Sequence, residues 1–110
     1  MTTFDDDRER AFERKMALDQ ELAFKVAARR NSLLAHWAAG RMSLSGKAAE
    51  DYVAGLVAAG AVHTDSGPTV ARVVADLLAR GVPARREEVE SQLQRFTAKA
   101  RAEIVRGALR

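Results

Sequence analysis

FDDDRERAFERKMALDQELAFKVAARRNSLLAHWAA, residues 4–39, runs without a proline or a glycine, and its large apolar residues thin out toward the N-terminus. It reads as one long helix of two characters. In the C-terminal half, Leu18, Leu22, Val26, Leu33 and Trp37 recur at steps of four and seven residues, which returns them to one helical face and predicts that this half lies in a core. The N-terminal half is dominated by charge, and its large apolar side chains are only Phe4, Phe12 and Met16. At 1.5 Å per residue, a helix over the whole stretch is about 54 Å long, whereas a compact domain of this size is about 30 Å across. Part of the helix must protrude, or the helix must break.

The chain has 110 residues, 47% of them hydrophobic, enough for one modest core. This predicts a single domain over residues 1–110, with residues 1–17 as a protruding or flexible arm and 18–110 as a helical bundle. Prolines are only two, Pro68 and Pro83, and alanine, leucine, arginine and glutamate are abundant, a composition that favours helix over sheet. The 18 basic and 15 acidic residues give a net charge of +3 but are interspersed along the chain, which favours an ion-paired, solvated surface over a polyanion site. Cysteine is absent, which excludes disulfides and thiolate metal sites. No apolar run approaches the roughly 18 residues of a membrane span, and Asp5, Asp6 and Asp7 suit neither a secretory nor a mitochondrial leader. A cytoplasmic location is expected.

Boundary signals divide the rest of the chain. Thr3 is a candidate N-cap, with Asp6 three residues on, and the three aspartates complement the positive end of the helix dipole. Asp6 and Arg10, Lys15 and Asp19, and Glu21 and Lys25 stand at i, i+4 spacing and support helix in an exposed arm. Gly40 and the following RMSLSG predict the end of the first helix, with Ser45 capping a second whose apolar face is Tyr52, Val53, Leu56 and Val57 and whose stop is Gly60. Asp65 or Ser66 caps a third, with Pro68 in its first turn and Val70, Val73, Val74, Leu77 and Leu78 on its buried face; Gly81 ends it. After Pro83, Val89, Leu93, Phe96, Ala100 and Ile104 mark a fourth helix over residues 84–107. Short connections favour side-by-side packing of sequential helices, hence an all-α fold: a small four-helix bundle whose long first helix carries a protruding N-terminal arm. The expected core is Leu22, Val26, Leu33, Trp37, Leu56, Val73, Leu77, Leu93 and Phe96.

No catalytic constellation stands out. His36 and His63 have no spaced second ligand, and the phosphate-loop, HExxH and GxSxG patterns are all absent. An enzyme is not expected, nor a cofactor or metal. Arg29, Arg30 and Asn31 interrupt the buried half of the first helix. Either two of the three face water, or an arginine stem covers the core while its guanidinium ties helix ends together. The last helix carries more basic than acidic residues, which reads as a solvated face; as a phosphate-binding patch it lacks aromatics other than Phe96.

Two stretches are more specific than pattern. MTTFDDDRERAFERK, followed by ELAFKVAARRNSLLAHWAA, resembles the opening of the zeta-subunit family of ATPase inhibitor proteins of the bacterial rotary ATP synthase. The resemblance is strongest over the first 40 residues and continues weakly through LSG, the Tyr52 helix and the ADL at Ala75 to Leu77. It implies a four-helix bundle whose N-terminal segment inserts at a catalytic interface of the soluble head and blocks ATP hydrolysis. The implied partners are the catalytic head subunits, without membrane insertion and with nucleic acid only a minor alternative. The implied place is the cytoplasmic face of the inner membrane. The implied partner-binding residues are Phe4, Asp5, Asp6, Asp7, Arg8, Glu9, Arg10, Phe12 and Met16. Two departures accompany the match: the usual FDDRE is here FDDDRE, with one aspartate extra, and the loop between the second and third helices, usually acidic, reads GAVHTDSGPT. The competing expectation is a helical regulatory module that keeps the fold without the inhibition.

Overall fold

The computed structural model describes residues 4–61 and 65–108, with the side chains of Phe4, Asp5 and Ala108 outside the described set. Thr3 and His63 also lie outside it. Four helices follow in order, α1 (Phe4–Arg41), α2 (Gly46–Gly60), α3 (Gly67–Ala79) and α4 (Arg86–Ala108). There is no strand among the described residues. The all-α bundle with a long first helix is therefore what the chain forms. Around it, α1 is flanked by α2 and α4, α3 closes the square against both, and α2 and α4 do not pack on one another.

The core consists of Leu34, Ala35, Ala38 and Met42 from α1 and its end, Leu56 from α2, Val70, Val73 and Leu77 from α3, and Val89 and Leu93 from α4. Ala100 is fully buried as well. Leu56, Val73, Leu77 and Leu93 lie where the apolar spacing puts them, and Phe96 packs partly buried against the core. In α1 Val26 is buried as expected, but the rest of the stripe is displaced. Leu18 and Leu22 are 59% and 38% exposed, Leu33 and Trp37 are only half-buried, and the face pointing inward is Asn31, Leu34, Ala35 and Ala38. The cause is size. Alanines let α2 and α4 approach α1 closely, and the indole of Trp37, too large for the centre, lies at the margin with the Arg41 guanidinium 5.4 Å from its ring centroid. Leu78 is likewise exposed, one position past the face led by Leu77.

Helix ends follow backbone chemistry. Gly40 stays helical and α1 ends one residue later; Ser43 takes the left-handed conformation at φ 57°, while the Leu44 and Ser43 amides donate back to the Ala39 and Gly40 carbonyls. That is a Schellman closure with serine where glycine is usual. Gly81, at φ 73°, closes α3 in the same way, Val82 N–H donating to Leu77 O at 2.9 Å and its side chain packing on the core. At the start of α3 the Asp65 carboxylate, not Ser66, accepts from the Gly67 amide at 3.1 Å. Ser45 precedes α2 in an extended conformation without a side-chain cap bond.

Polar ties set the order of the helices. Arg29 Nε donates to Glu103 Oε2 and Arg41 Nη1 to Glu88 Oε1, each at 2.8 Å, so α4 runs antiparallel along α1. Tyr52 Oη donates to Asp76 Oδ2 at 2.9 Å, and Arg72, reaching the same carboxylate at 3.6 Å, also donates to Gly55 O, which clips α2 to α3. Burial, followed by the bond to Asp76 and its charge, pushes the Tyr52 phenol above its ordinary value. The remaining close approach is at Gly60. A Cβ there would collide with the Asn31 amide and touch Thr69 Oγ1, so α1, α2 and α3 meet at one point where a larger residue on α2 would have to displace the Asn31 side chain.

Three outcomes follow. Leu34→Ala lowers stability by about 2–5 kcal/mol in a denaturant titration, while Leu22→Ala changes it by less than about 0.5 kcal/mol. Gly60→Ala costs about 1–3 kcal/mol through overpacking against Asn31. Because folding raises the Tyr52 pKa, its contribution is complete below the ordinary tyrosine value near 10 and is lost as the pH rises through the folded value. Tyr52→Phe costs about 1 kcal/mol at neutral pH and flattens the alkaline limb of the stability curve.

Candidate functional site: the exposed arm and the groove at its base

Every described side chain from Asp6 to Lys25 is exposed, and burial along α1 begins at Val26. The molecule is accordingly drawn out, 66 × 28 × 22 Å, with α1 as its long dimension. Of the sequence-derived contact residues, Asp6, Asp7, Arg8, Glu9, Arg10, Phe12 and Met16 all lie on this solvated helix. Phe4 and Asp5 are its first two residues, and their side chains are outside the described set. Phe12 is 62% and Met16 46% exposed, and at i, i+4 spacing they share one face. Of the three expected ion pairs on the arm, Glu21 with Lys25 is closed at 3.1 Å. Asp6 with Arg10 and Lys15 with Asp19 are not among the closed pairs, as expected for exposed flexible side chains whose attraction is a few tenths of a kcal/mol.

The triplet that interrupts α1 resolves into three separate roles at the arm's base. Arg29 faces water and ties α1 to α4; its guanidinium, by hydrogen bond and charge, holds the Glu103 carboxyl below the usual range. Arg30 is half-buried, its pKa lowered by desolvation, and its Nε donates to Asn31 Oδ1 at 3.2 Å. Asn31 is fully buried at the Gly60 junction. Only Arg29 of the three is exposed, its guanidinium tying helices together as the second expectation has it, and Asn31 is inside because Gly60 leaves room for its amide.

Above that junction α2 ends while α1 continues, which leaves an apolar groove of about 610 Å³ lined by Phe24, Ala27, Asn31, Val57, Gly60 and Ala61. Phe24 is 60% exposed on its rim. The sequence stripe passed over Phe24, although its spacing of twelve from Phe12 and eight from Met16 continues their row. On α4 Arg86 pairs with Glu90 at 2.7 Å, while Glu88 and Glu103 pair with arginines of α1. Among the described residues no group of three or more histidine, cysteine, aspartate or glutamate side chains is placed to hold a metal ion, and no helix is long and apolar enough to cross a membrane.

The family comparison says what kind of protein carries this bundle and its exposed helix. The family model described as ATPase inhibitor subunit zeta matches residues 1–103. The chain belongs to the ATPase inhibitor subunit zeta family. It is a regulatory protein, not a catalyst, and the family associates it with an ATP synthase. No curated protein and no solved structure gives a significant match. The zeta match spans arm and bundle alike.

Amide exchange in the free zeta-family chain is fast before Val26 and slow from Leu34 to Ala39, and limited trypsin cuts first at Arg8, Arg10, Arg14 or Lys15. Slow exchange at residues 6–20 would mean that the arm folds onto the bundle.

Proposed function

We propose that this protein blocks ATP hydrolysis by the rotary ATP synthase by wedging its N-terminal helical arm into a catalytic interface of the soluble head. The supporting observation is the exposure of Phe12 and Met16 on a helix that leaves the bundle and buries nothing on its own chain. Apolar side chains held in water on a preformed helix are anchors whose desolvation on docking supplies binding free energy. The charged residues between them keep the free arm soluble and give it orientation on docking. Phe4, Phe12 and Met16 are the anchors; Asp5, Asp6, Asp7, Arg8, Glu9 and Arg10 make the polar contacts. Residues 1–17 act as the effector and residues 18–110 as its mount, one domain in all. The protein works at the cytoplasmic face of the inner membrane, held there through the head subunits.

Deleting residues 1–17 abolishes inhibition of ATP hydrolysis and leaves the melting temperature unchanged, since the described side chains of that segment touch no core residue. Phe12→Ala weakens inhibition by about 1–4 kcal/mol without unfolding the bundle. Deleting Asp5 turns Phe4 by about 100° relative to Arg8 and restores the spacing usual in the family. That variant inhibits at least as well as the parent when the arm binds as a continuous helix. Hydrolysis left untouched by the full-length protein would dispose of the inhibitor reading.

A further inference from the structure

By helical position, at about 100° per residue, the side of α1 that carries Phe12 and Met16 also holds Asp5, Glu9, Glu13 and Asp19 against Arg8 and Lys15. Arg10, Arg14 and Lys25 fall on the other side, together with Asp6, Asp7 and Glu21. The anchor side of the arm is therefore acidic and the far side neutral. The C-terminal half of α4 has the opposite character. Its solvent face carries the row Ala98, Ala102 and Val105, flanked by Arg95, Lys99 and Arg106 on one side and Arg101 on the other, all of them exposed. Between Ser91 and Gly107 the single acid is Glu103, which Arg29 already holds. Among the described residues the four exposed bases close no ion pair.

These two faces match in shape and length as well as in charge. Phe12 and Met16 are large and four apart, whereas Ala98 and Ala102 are small and four apart, so the ridge of one helix fits the groove of the other. Glu9 to Asp19 covers about 15 Å of helix, and Arg95 to Arg106 about 16 Å. Within one chain the faces cannot meet, because α1 is a single helix that leaves the bundle while α4 is tied along its base through Arg29 and Glu103. We propose that the occupant of the basic face of α4 is the arm of a second copy of this chain. Each copy of the pair lays Phe12 and Met16 over Ala98 and Ala102 of the other. Resting on the arm's proposed role, the pair is a stored form of the inhibitor: it buries the anchors and must separate before an arm enters the synthase head.

Sedimentation of the full-length protein across concentration and salt tests this, with Arg95→Glu/Lys99→Glu, Glu9→Lys/Asp19→Lys and a mixture of the two variants run alongside. The expected result is a parent dimer that dissociates as salt is raised, and self-association weakened about tenfold or more in each double variant, with melting unchanged. Mixing the two variants restores a dimer, because each arm then meets an α4 face of opposite charge. Arg95→Glu/Lys99→Glu, whose arm is intact, inhibits ATP hydrolysis at a lower total concentration than the parent. A parent that stays monomeric throughout overturns the proposal, as does a dimer that persists in both variants. Equal potency of parent and α4 variant, where the parent is dimeric, overturns the stored form. If the dimer behaves as expected but no form inhibits hydrolysis, the pairing stands and the arm reading fails.

Discussion

The constraint on which the structure depends is a mismatch of helix lengths. α1 has 38 residues, while the helices that cover it have 15, 13 and 23. At 1.5 Å per residue α1 spans about 57 Å and α2 only about 22 Å, so none of these partners by itself runs along the whole of α1. The chain meets this by making the uncovered part rich in charge and by beginning the buried face of α1 only at Val26. The exposed arm, the groove and the elongated shape all come from that one inequality.

Much of this is legible in the sequence because it rests on punctuation and period. The absence of glycine and proline from residues 4–39 predicts the long helix, Pro68 and Gly81 bracket α3, and the steps through Val89, Leu93, Phe96 and Ala100 place α4 on the core. The inner face of α1 is less legible because hydrophobic size draws attention to Leu33 and Trp37, whereas packing selects their neighbours Leu34, Ala35 and Ala38. Alanine adds little to an apolar pattern and a great deal to close helix approach. Ser43 in a left-handed turn is invisible for a similar reason. Glycine is the residue usually found there, and Gly40, three positions earlier, attracts the prediction instead.

At the candidate site the sequence supplied the exposed apolar residues Phe12 and Met16 and the charges around them. It did not supply Phe24 or the groove. Whether an aromatic on α1 is buried depends on where α2 ends in space, and that depends in turn on Gly60 fitting against Asn31. A tertiary coincidence of this kind leaves no local signature. The family match adds what neither pattern nor geometry contains, the identity of the partner as an ATP synthase.

The three-helix junction at Asn31, Gly60 and Thr69 also works mechanically. It is the fulcrum of a lever whose long arm is the solvated part of α1. Asp6 lies 25 residues from Asn31, about 37 Å along the helix, so one degree of tilt at the junction moves the arm's tip by about 0.6 Å. Any adjustment of α2 against α3, through the Tyr52–Asp76–Arg72 clip or at the turn after Gly60, is magnified before it reaches the tip. The direction of the arm is therefore most sensitive to geometry at its base, about 37 Å from its tip.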